Sequence, residues 1–422
     1  MFFTFIYRLF TFFYVCAIHA AALFVPKAAL WVKGRRQIWQ TIAQSMAALP
    51  PTGKRVWVHC ASLGEFEQGR PIIETLKQQV NGVQIILTFY SPSGFEVRKN
   101  YPFADAVFYL PPDSPRNAQR WLAAVKPTLA VFVKYEFWLF YLSALHGANI
   151  PVALVSAIFR PNQAFFRWYG IGFRRVLRYY RGIFVQDRRS VALLCSIGVN
   201  QTILAPDTRF DRVLATASQA INIPIAANFA AGRRVVVCGS TWTKDEQLLQ
   251  QVMLQAPPDV CFMIAPHEVT PMRLTQLKSL LAGMPVVWYS TAHHQTPAKI
   301  ADAKVMVIDN VGMLAQLYGY GTFAYVGGGF GAGIHNVLEA AVFGLPVFFG
   351  PAHHKFIEAV QLVQLGGAFV VHNAEQLSQT LFTLLANEEA LRKASGICKQ
   401  YVHENKGGTA IIMQNLMGWL SG

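Results

Sequence analysis

Short apolar runs, each followed by a segment of helical periodicity, recur from Lys54 to Leu385, and this alternation restricts the fold more than any other feature of the chain. The first set is VWVHC (56–60), VQIILTFY (83–90), ADAVFYL (104–110), LAVFV (129–133), PVALVSA (151–157) and GIFVQD (182–187), with helices over 69–80 and 117–125. Strands so uniformly apolar are buried on both faces, as in parallel sheets covered by helices. No such run occurs in 206–232. The pattern then restarts with RRVVVCGS (233–240), VCFMIAP (260–266), PVVWYS (285–290), VMVID (305–309), 323–326, 346–349 and AFVV (368–371), with helices over 244–255, 270–282 and 374–385. The tail from Glu388 to Trp419 reads as helix broken at Gly407-Gly408.

Two doubly wound, Rossmann-like halves predict an α/β protein with a ligand cleft between the carboxyl ends of two parallel sheets. A chain of 422 residues is too long for one ordinary core. The expected organisation is a membrane anchor over 1–26, a first domain over 27–210, a linker over 211–232, a second domain over 233–390, and a helical segment over 391–422.

Charge separates the halves. Residues 1–212 hold 25 lysines and arginines against 10 aspartates and glutamates, whereas 213–422 hold 12 against 12, so the whole net charge of +15 lies in the first half. A basic surface implies an acidic partner, whether nucleic acid, anionic lipid or a phosphorylated substrate. Leu9 to Pro26 is apolar except for His19 and Thr11, and Phe2 to Tyr7 extends it with Arg8 as a break. Lys27, Lys33, Arg35 and Arg36 follow, which favours an uncleaved anchor, spanning or interfacial, with the body of the protein in the cytoplasm. The segment FFRWYGIGFRRVLRYYR (165–181) sets five arginines among aromatic rings. Beside an anchor this favours an anionic membrane surface over nucleic acid. The six scattered cysteines have no CxxC spacing, so neither a disulfide framework nor a zinc site is expected.

Candidate chemistry sits at strand ends. In YVGGGFGAGIHNVLEAAVFGLPVFFGP (325–351) an apolar run, a five-glycine turn and a helix opening near His335 succeed one another. This suits either an anion at a helix N-terminus or a close-packed βα turn. Asn336 and Glu339, three apart, are expected on one helical face. The loop after the first strand carries Ser62, Gly64 and Glu65, where Glu65 is either a general base or negative charge in a first helical turn. Glu136 follows the fourth run in the same position. Ser240 and Thr241, His267 and Glu268, and the loop of Asp309 to Gly312 end strands of the second half, as anion contacts or as caps. No metal-ligand spacing and no nucleophile elbow is present.

Taken together, HCASLGE (59–65), YEFW (135–138), CGSTWTKDE (238–246), APHE (265–268), DNVGMLAQLYGYG (309–321), the glycine stretch 327–351 and HHKF (353–356) give a chain that resembles the Kdo transferases. These are membrane-associated glycosyltransferases of GT-B architecture that move 3-deoxy-D-manno-oct-2-ulosonic acid (Kdo) from CMP-Kdo to a lipid A precursor. The resemblance implies Glu65 as the base that deprotonates the acceptor hydroxyl, with inversion at the anomeric carbon. It implies acceptor or donor-sugar contacts at Glu136, Ser62 and Gly64. CMP would be bound through Ser240, Thr241, His267, Glu268, Gly312, Gly328, Asn336 and Glu339. It implies no metal or other cofactor, no nucleic-acid partner, and a place on the cytoplasmic side of the inner membrane. The nearest alternative is another GT-B nucleotide-sugar transferase acting on a lipid or cell-wall acceptor. The chain departs from the family where an Arg-His-Pro-Glu run is replaced by Ala265-Pro266-His267-Glu268, and where Met313 stands in place of a glutamate.

Overall fold

A computed structural model describes residues 2–51, 53–219 and 222–421. Two compact units divide the chain: residues up to Asp211 together with those from Lys406 onward, and Arg212–Asn405.

The first unit contains a seven-stranded sheet: β1 (Arg55–Cys60), β2 (Gln84–Phe89), β3 (Ala106–Tyr109), β4 (Leu129–Val133), β5 (Val152–Ala157), β6 (Gly182–Val185) and β7 (Thr202–Leu204). The order is β3-β2-β1-β4-β5-β6-β7, and every pairing is parallel. Alternation along the strands explains their apolar runs. Val56, Val58 and Cys60 enter one core cluster with Val131 and Val133, while Trp57 enters another with Ala130 and Phe132. Both faces are covered, so neither tolerates a polar period. β7, which the sequence pattern does not reveal, is a half-buried three-residue edge.

Helix Leu63–Gln79 begins six residues before the expected start. Its first turn is polar and lacks helical apolar periodicity, but the carboxylate of Glu65 accepts from the N–H of Ser62 (3.1 Å) and closes the N-terminus. The final helix, Gly408–Ser421, packs in the first unit, because Asp211 accepts from the N–H groups of Gly407 (2.6 Å) and Thr409 (2.7 Å).

At the N-terminus, helix Phe2–Ala21 runs unbroken through Arg8. Its twenty residues reach about 30 Å at 1.5 Å per residue. One face meets the first unit: Phe3 lies edge-on to Phe173 (4.9 Å), Tyr7 donates to Asp113 (2.8 Å), and Tyr14 stacks near Tyr90 (6.4 Å). Phe5, Phe10, Phe12 and Phe13 are exposed. The spacing of the contacts, four and seven residues, lays the helix lengthwise along the unit.

The second unit repeats the plan with β8 (Arg234–Thr241), β9 (Val260–Pro266), β10 (Val286–Trp288), β11 (Val305–Val307), β12 (Phe323–Val326), β13 (Val347–Phe349) and β14 (Ala368–Val370). The order is β10-β11-β9-β8-β12-β13-β14, again all parallel. Helices Thr208–Ser218 and Pro224–Ala230 occupy the segment expected as linker, within which Ala220 and Ile221 lie outside the described residues. Strand order reverses between β1 and β4 in the first unit and between β8 and β12 in the second. Ligands of open α/β sheets bind beyond the carboxyl ends of strands at such a reversal.

Candidate active site

The reversal in the first unit is flanked by the two carboxylates that the sequence singles out. Glu65 follows β1 and Glu136 follows β4, and β1 pairs directly with β4. Glu65 Oε2 accepts from the N–H groups of Ala61 (2.5 Å) and Ser62 (3.1 Å), which fixes the side chain at the helix start. The capping and base readings of Glu65 are therefore compatible: one oxygen caps, and Oε1 has no partner among the described residues. Burial and the charge of Glu136 push the Glu65 carboxyl up to about 8, against the lowering pull of the two N–H groups and Lys134. Gly64 is exposed, and a methyl group added to it would meet nothing within 4 Å. Packing does not require glycine there.

Glu136 is buried, and its partners arrive from three elements. His59 Nε2 lies 2.9 Å from Oε2, Trp138 Nε1 donates to the same oxygen, and the Tyr180 hydroxyl donates to the Glu136 carbonyl. Behind it, His59 Nδ1 lies 2.8 Å from Thr88 Oγ1, which accepts from Trp57 Nε1 at 2.8 Å. The backbone of Lys134, between β4 and Glu136, takes a positive φ of 73°; Ser240, at the end of β8, takes 54°. Left-handed backbone is costly for such residues and tends to persist at functional sites.

Beside helix Ile171–Leu177 the first unit has a cavity of about 610 Å³ lined by Phe3, Arg174, Arg175, Arg178 and Tyr179 among others. Arg174 is held by the carbonyls of Phe165 (2.8 Å) and Arg167 (3.2 Å), whereas Arg175 and Arg178 are exposed. From Phe137 to Gln186 the chain has no acidic residue. Trp168 and Ile171 are 88% and 72% exposed.

In the second unit the glycine stretch forms a turn that closes largely on itself. Gly331 and Gly333 N–H donate to the Gly328 carbonyl, and His335 N–H to that of Gly327. The N–H of Gly328, expected at a ligand phosphate, is taken by Asp245 Oδ2 (2.9 Å), which also accepts from Trp242 N (2.9 Å). The Tyr325 hydroxyl donates to Oδ1 (2.8 Å). This buried carboxylate under the loop has no signal in the sequence beyond its place in a first helical turn. A Cβ on Gly327 would come within 2.3 Å of the Ser240 carbonyl, and one on Gly329 within 2.5 Å of Gly350 N. A Cβ on Gly328 would likewise come within 2.4 Å of the Gly333 carbonyl, so close packing accounts for three of the five glycines. Among the described residues, the N–H groups of Gly329, Phe330 and Ala332 have no partner, and Phe330 and Ala332 line a cavity of about 450 Å³.

The expected helix at His335 begins instead at Leu338 and is one turn long. Asn336 precedes it: its Oδ1 accepts from Leu338 N (3.2 Å) and its amide donates to Glu339 Oε1 (3.1 Å). The pair does meet, through this turn rather than through a shared helical face. Burial raises the Glu339 carboxyl, with Arg212 and the Asn336 bond opposing. Thr241 is buried and donates to Glu246 (3.0 Å), which in turn holds Arg273 (2.7 Å). His267 stacks between Trp242 (4.6 Å) and His335 (4.3 Å), and Trp242 Nε1 donates to His335 Nε2 (3.2 Å). Burial, then His267, pushes His335 down to about 4, and burial lowers His267 against the pull of Glu268. Ser240, Thr241, Gly328, His267, Asn336 and Glu339 therefore frame the end of the second sheet. Glu268 and Gly312 are exposed; the charge of Glu268 reaches His267, and among the described residues no side-chain or backbone hydrogen bond joins Gly312 to that frame. His59, Asp245, Trp242 and His335 are the additions that the sequence reading passes over.

Comparison with known proteins agrees with this architecture. A family model described as 3-Deoxy-D-manno-octulosonic-acid transferase (kdotransferase) matches residues 34–212. A 3-deoxy-D-manno-octulosonic acid transferase of Bordetella pertussis is 26% identical over 420 residues, covering 93% of this chain and 95% of that one. Among solved structures, a UDP-GlcNAc 2-epimerase from Neisseria meningitidis superposes with TM-score 0.58 at 16% identity, over 86% of this chain and 100% of that one. MurG from Acinetobacter baumannii does so with TM-score 0.53 at 14% identity, over 86% and 99%. Two doubly wound parallel sheets with acidic and glycine-rich strand ends give the protein the GT-B architecture of nucleotide-sugar glycosyltransferases. Within that class, residues 34–212 match the 3-deoxy-D-manno-octulosonic-acid transferase family model, and over most of its length the chain is similar to such transferases, glycosyltransferases of lipopolysaccharide synthesis.

Proposed function

We propose that the enzyme transfers Kdo from CMP-Kdo to a lipid A precursor at the cytoplasmic face of the inner membrane, with Glu65 as general base. The acceptor hydroxyl oxygen attacks the anomeric carbon as its proton passes to Glu65. The bond from that carbon to the phosphate oxygen breaks, its electron pair leaves with CMP, and configuration inverts. The observation that carries this reading is Glu65 itself. Its carboxyl is pushed up to about 8 by burial and Glu136, with one oxygen fixed and an open position at Gly64 beside it.

On the second unit the donor is assigned to the rim formed by Ser240, Asn336, Glu339 and the glycine turn. Its phosphate is given to the unpartnered N–H groups of Gly329, Phe330 and Ala332, and its base to the Trp242–His267 platform. The lengthwise packing of helix Phe2–Ala21 supports an interfacial anchor, with exposed aromatics and arginines on the same unit facing lipid phosphates. Incubation of the full-length protein with CMP-Kdo and a lipid A precursor, followed by mass spectrometry, tests the reading. Acceptor heavier by one or more Kdo units, with CMP released, is expected. Turnover of a UDP-sugar with none of CMP-Kdo would overturn it.

A further inference from the structure

Glu136 sits on backbone that neither sheet nor helix fixes. Residues 134–138 join β4 to helix Leu139–Gly147 without regular structure, so contacts with other elements decide where the side chain lies. His59 and the Tyr180 hydroxyl hold it from the sheet side. Two further routes lead to the N-terminal helix. Along the first, Trp138, whose Nε1 donates to Glu136, has its ring 4.7 Å from that of Tyr90, and Tyr90 stacks at 6.4 Å with Tyr14 of helix Phe2–Ala21. Tyr90 is itself fixed, because Arg35 donates to its carbonyl (2.8 Å) and sets its guanidinium 4.9 Å from the ring. Along the second, helix Leu139–Gly147 begins three residues after Glu136 with no side-chain cap at Trp138. Asp113 takes over that task, accepting from the N–H groups of Phe140 and Tyr141 (both 3.1 Å). The Tyr7 hydroxyl donates to Asp113 (2.8 Å), and the Tyr7 ring lies edge-on to Phe140 (5.5 Å). Asp113 is 3% exposed, so loss of that hydroxyl would leave a buried oxygen short of a donor.

We propose that Tyr7 and Tyr14 are positioning residues for Glu136, so that the helix read as an anchor also builds the acceptor side of the site. The two tyrosines are seven residues apart and share one face of the helix, two turns from each other. Anchoring alone needs an apolar outward face, which Phe5, Phe10, Phe12 and Phe13 supply. It does not need a hydroxyl aimed at a buried carboxyl, and phenylalanine at position 7 would fill the same space. Both inward contacts end on the segment that carries Glu136: one supports Trp138 through Tyr90, the other the start of helix Leu139–Gly147 through Asp113. The helix thereby ties the place where the protein meets lipid to the residue given to the acceptor. This rests on the assignment of Glu136 to the acceptor.

The test is kcat/KM of the full-length protein for a lipid A precursor in detergent micelles, where recruitment to a bilayer does not limit the rate, with product counted by mass spectrometry. Sedimentation with phosphatidylglycerol-containing vesicles is measured beside it. Tyr7→Phe combined with Tyr14→Ala leaves the outward face intact. The pair should lower kcat/KM at least about tenfold, with vesicle binding and CMP affinity unchanged. Each single substitution should show part of the same loss, which covers the case in which the paired variant does not fold. Tyr14→Phe keeps the ring and should stay within about twofold of the wild type. In a Glu136→Ala background the pair should cost less than about twofold, because the group it positions is gone, whereas a merely structural loss would add in full. No loss in any of these variants, a loss that tracks vesicle binding, or an equal loss in the Glu136→Ala background would overturn the proposal. Near-normal turnover by Glu136→Ala alone would instead remove the assignment of Glu136 beneath it.

Discussion

His59 Nε2 and Glu136 Oε2 meet at 2.9 Å in a position where the imidazole has no solvent exposure, and Glu136 stands opposite Glu65 across the β1–β4 reversal. Strand pairing in the first unit therefore brings a hydrogen-bonded, buried Glu136 to the same sheet reversal as Glu65.

The pH dependence follows in sign from the raised Glu65 carboxyl. Its base form is lost as pH falls through about 8, so kcat/KM should drop about tenfold per unit on the acid side. Stability runs the other way. The folded value lies above the ordinary 4.5, so the contribution of Glu65 is complete below 4.5 and is lost as pH rises through about 8. Glu65→Gln keeps a capping acceptor and sheds the buried charge. Thermal unfolding at pH 9 should therefore show the variant more stable than the wild type by about 1–3 kcal/mol. A less stable variant at that pH would contradict the burial cost.

Gly64 separates packing from ligand contact. An alanine there meets no atom of the protein and improves helix propensity by up to about 1 kcal/mol. Gly64→Ala should leave the melting temperature unchanged or slightly raised while kcat/KM falls at least about tenfold, because the methyl enters the space assigned to the acceptor. Unchanged turnover would show that nothing approaches this position.

Much of this is legible in the sequence. Both sheets follow from apolar runs whose residues alternate between two buried faces, and Glu65 and Glu136 are visible as carboxylates that follow such runs. The start of helix Leu63–Gln79 was hidden because its first turn is polar and is closed by a side chain reaching backwards. The helix at Leu338 is shorter than its sequence suggests for the opposite reason: Asn336 satisfies its first N–H from outside it. Asp245 could not be found, since it acts on Gly328, 83 residues away, and only the folded chain brings them together. His59 reads as one more strand residue, and its contacts with Thr88 and Glu136 come from neighbouring strands that only the fold brings together.

Asp245 supports the glycine turn from below. Asp245→Ala leaves the N–H groups of Trp242 and Gly328 and the Tyr325 hydroxyl without their acceptor, at a cost of about 1–3 kcal/mol. Calorimetric titration with CMP should show weaker binding, with Glu65 chemistry untouched at saturating donor. Because the donor phosphate is assigned to backbone N–H groups, transfer is also expected to persist in EDTA; activity lost in chelator and restored by Mg²⁺ would contradict that assignment.

Arg175 and Arg178 are exposed in an acid-free stretch, so their partner is assigned to the membrane. Replacing both with glutamine should weaken sedimentation with phosphatidylglycerol-containing vesicles by about thirtyfold, at about 1 kcal/mol per residue, and leave binding to neutral vesicles unchanged. Equal loss on both vesicle types would point to misfolding of helix Ile171–Leu177 instead.

The most direct measurement of the whole account is CMP release from CMP-Kdo by Glu65→Gln in the presence of a lipid A precursor. The account predicts a loss of at least about a thousandfold in kcat, with CMP affinity within a few-fold of the wild type, since the nucleotide is assigned to the other unit. Turnover within tenfold of the wild type would contradict it.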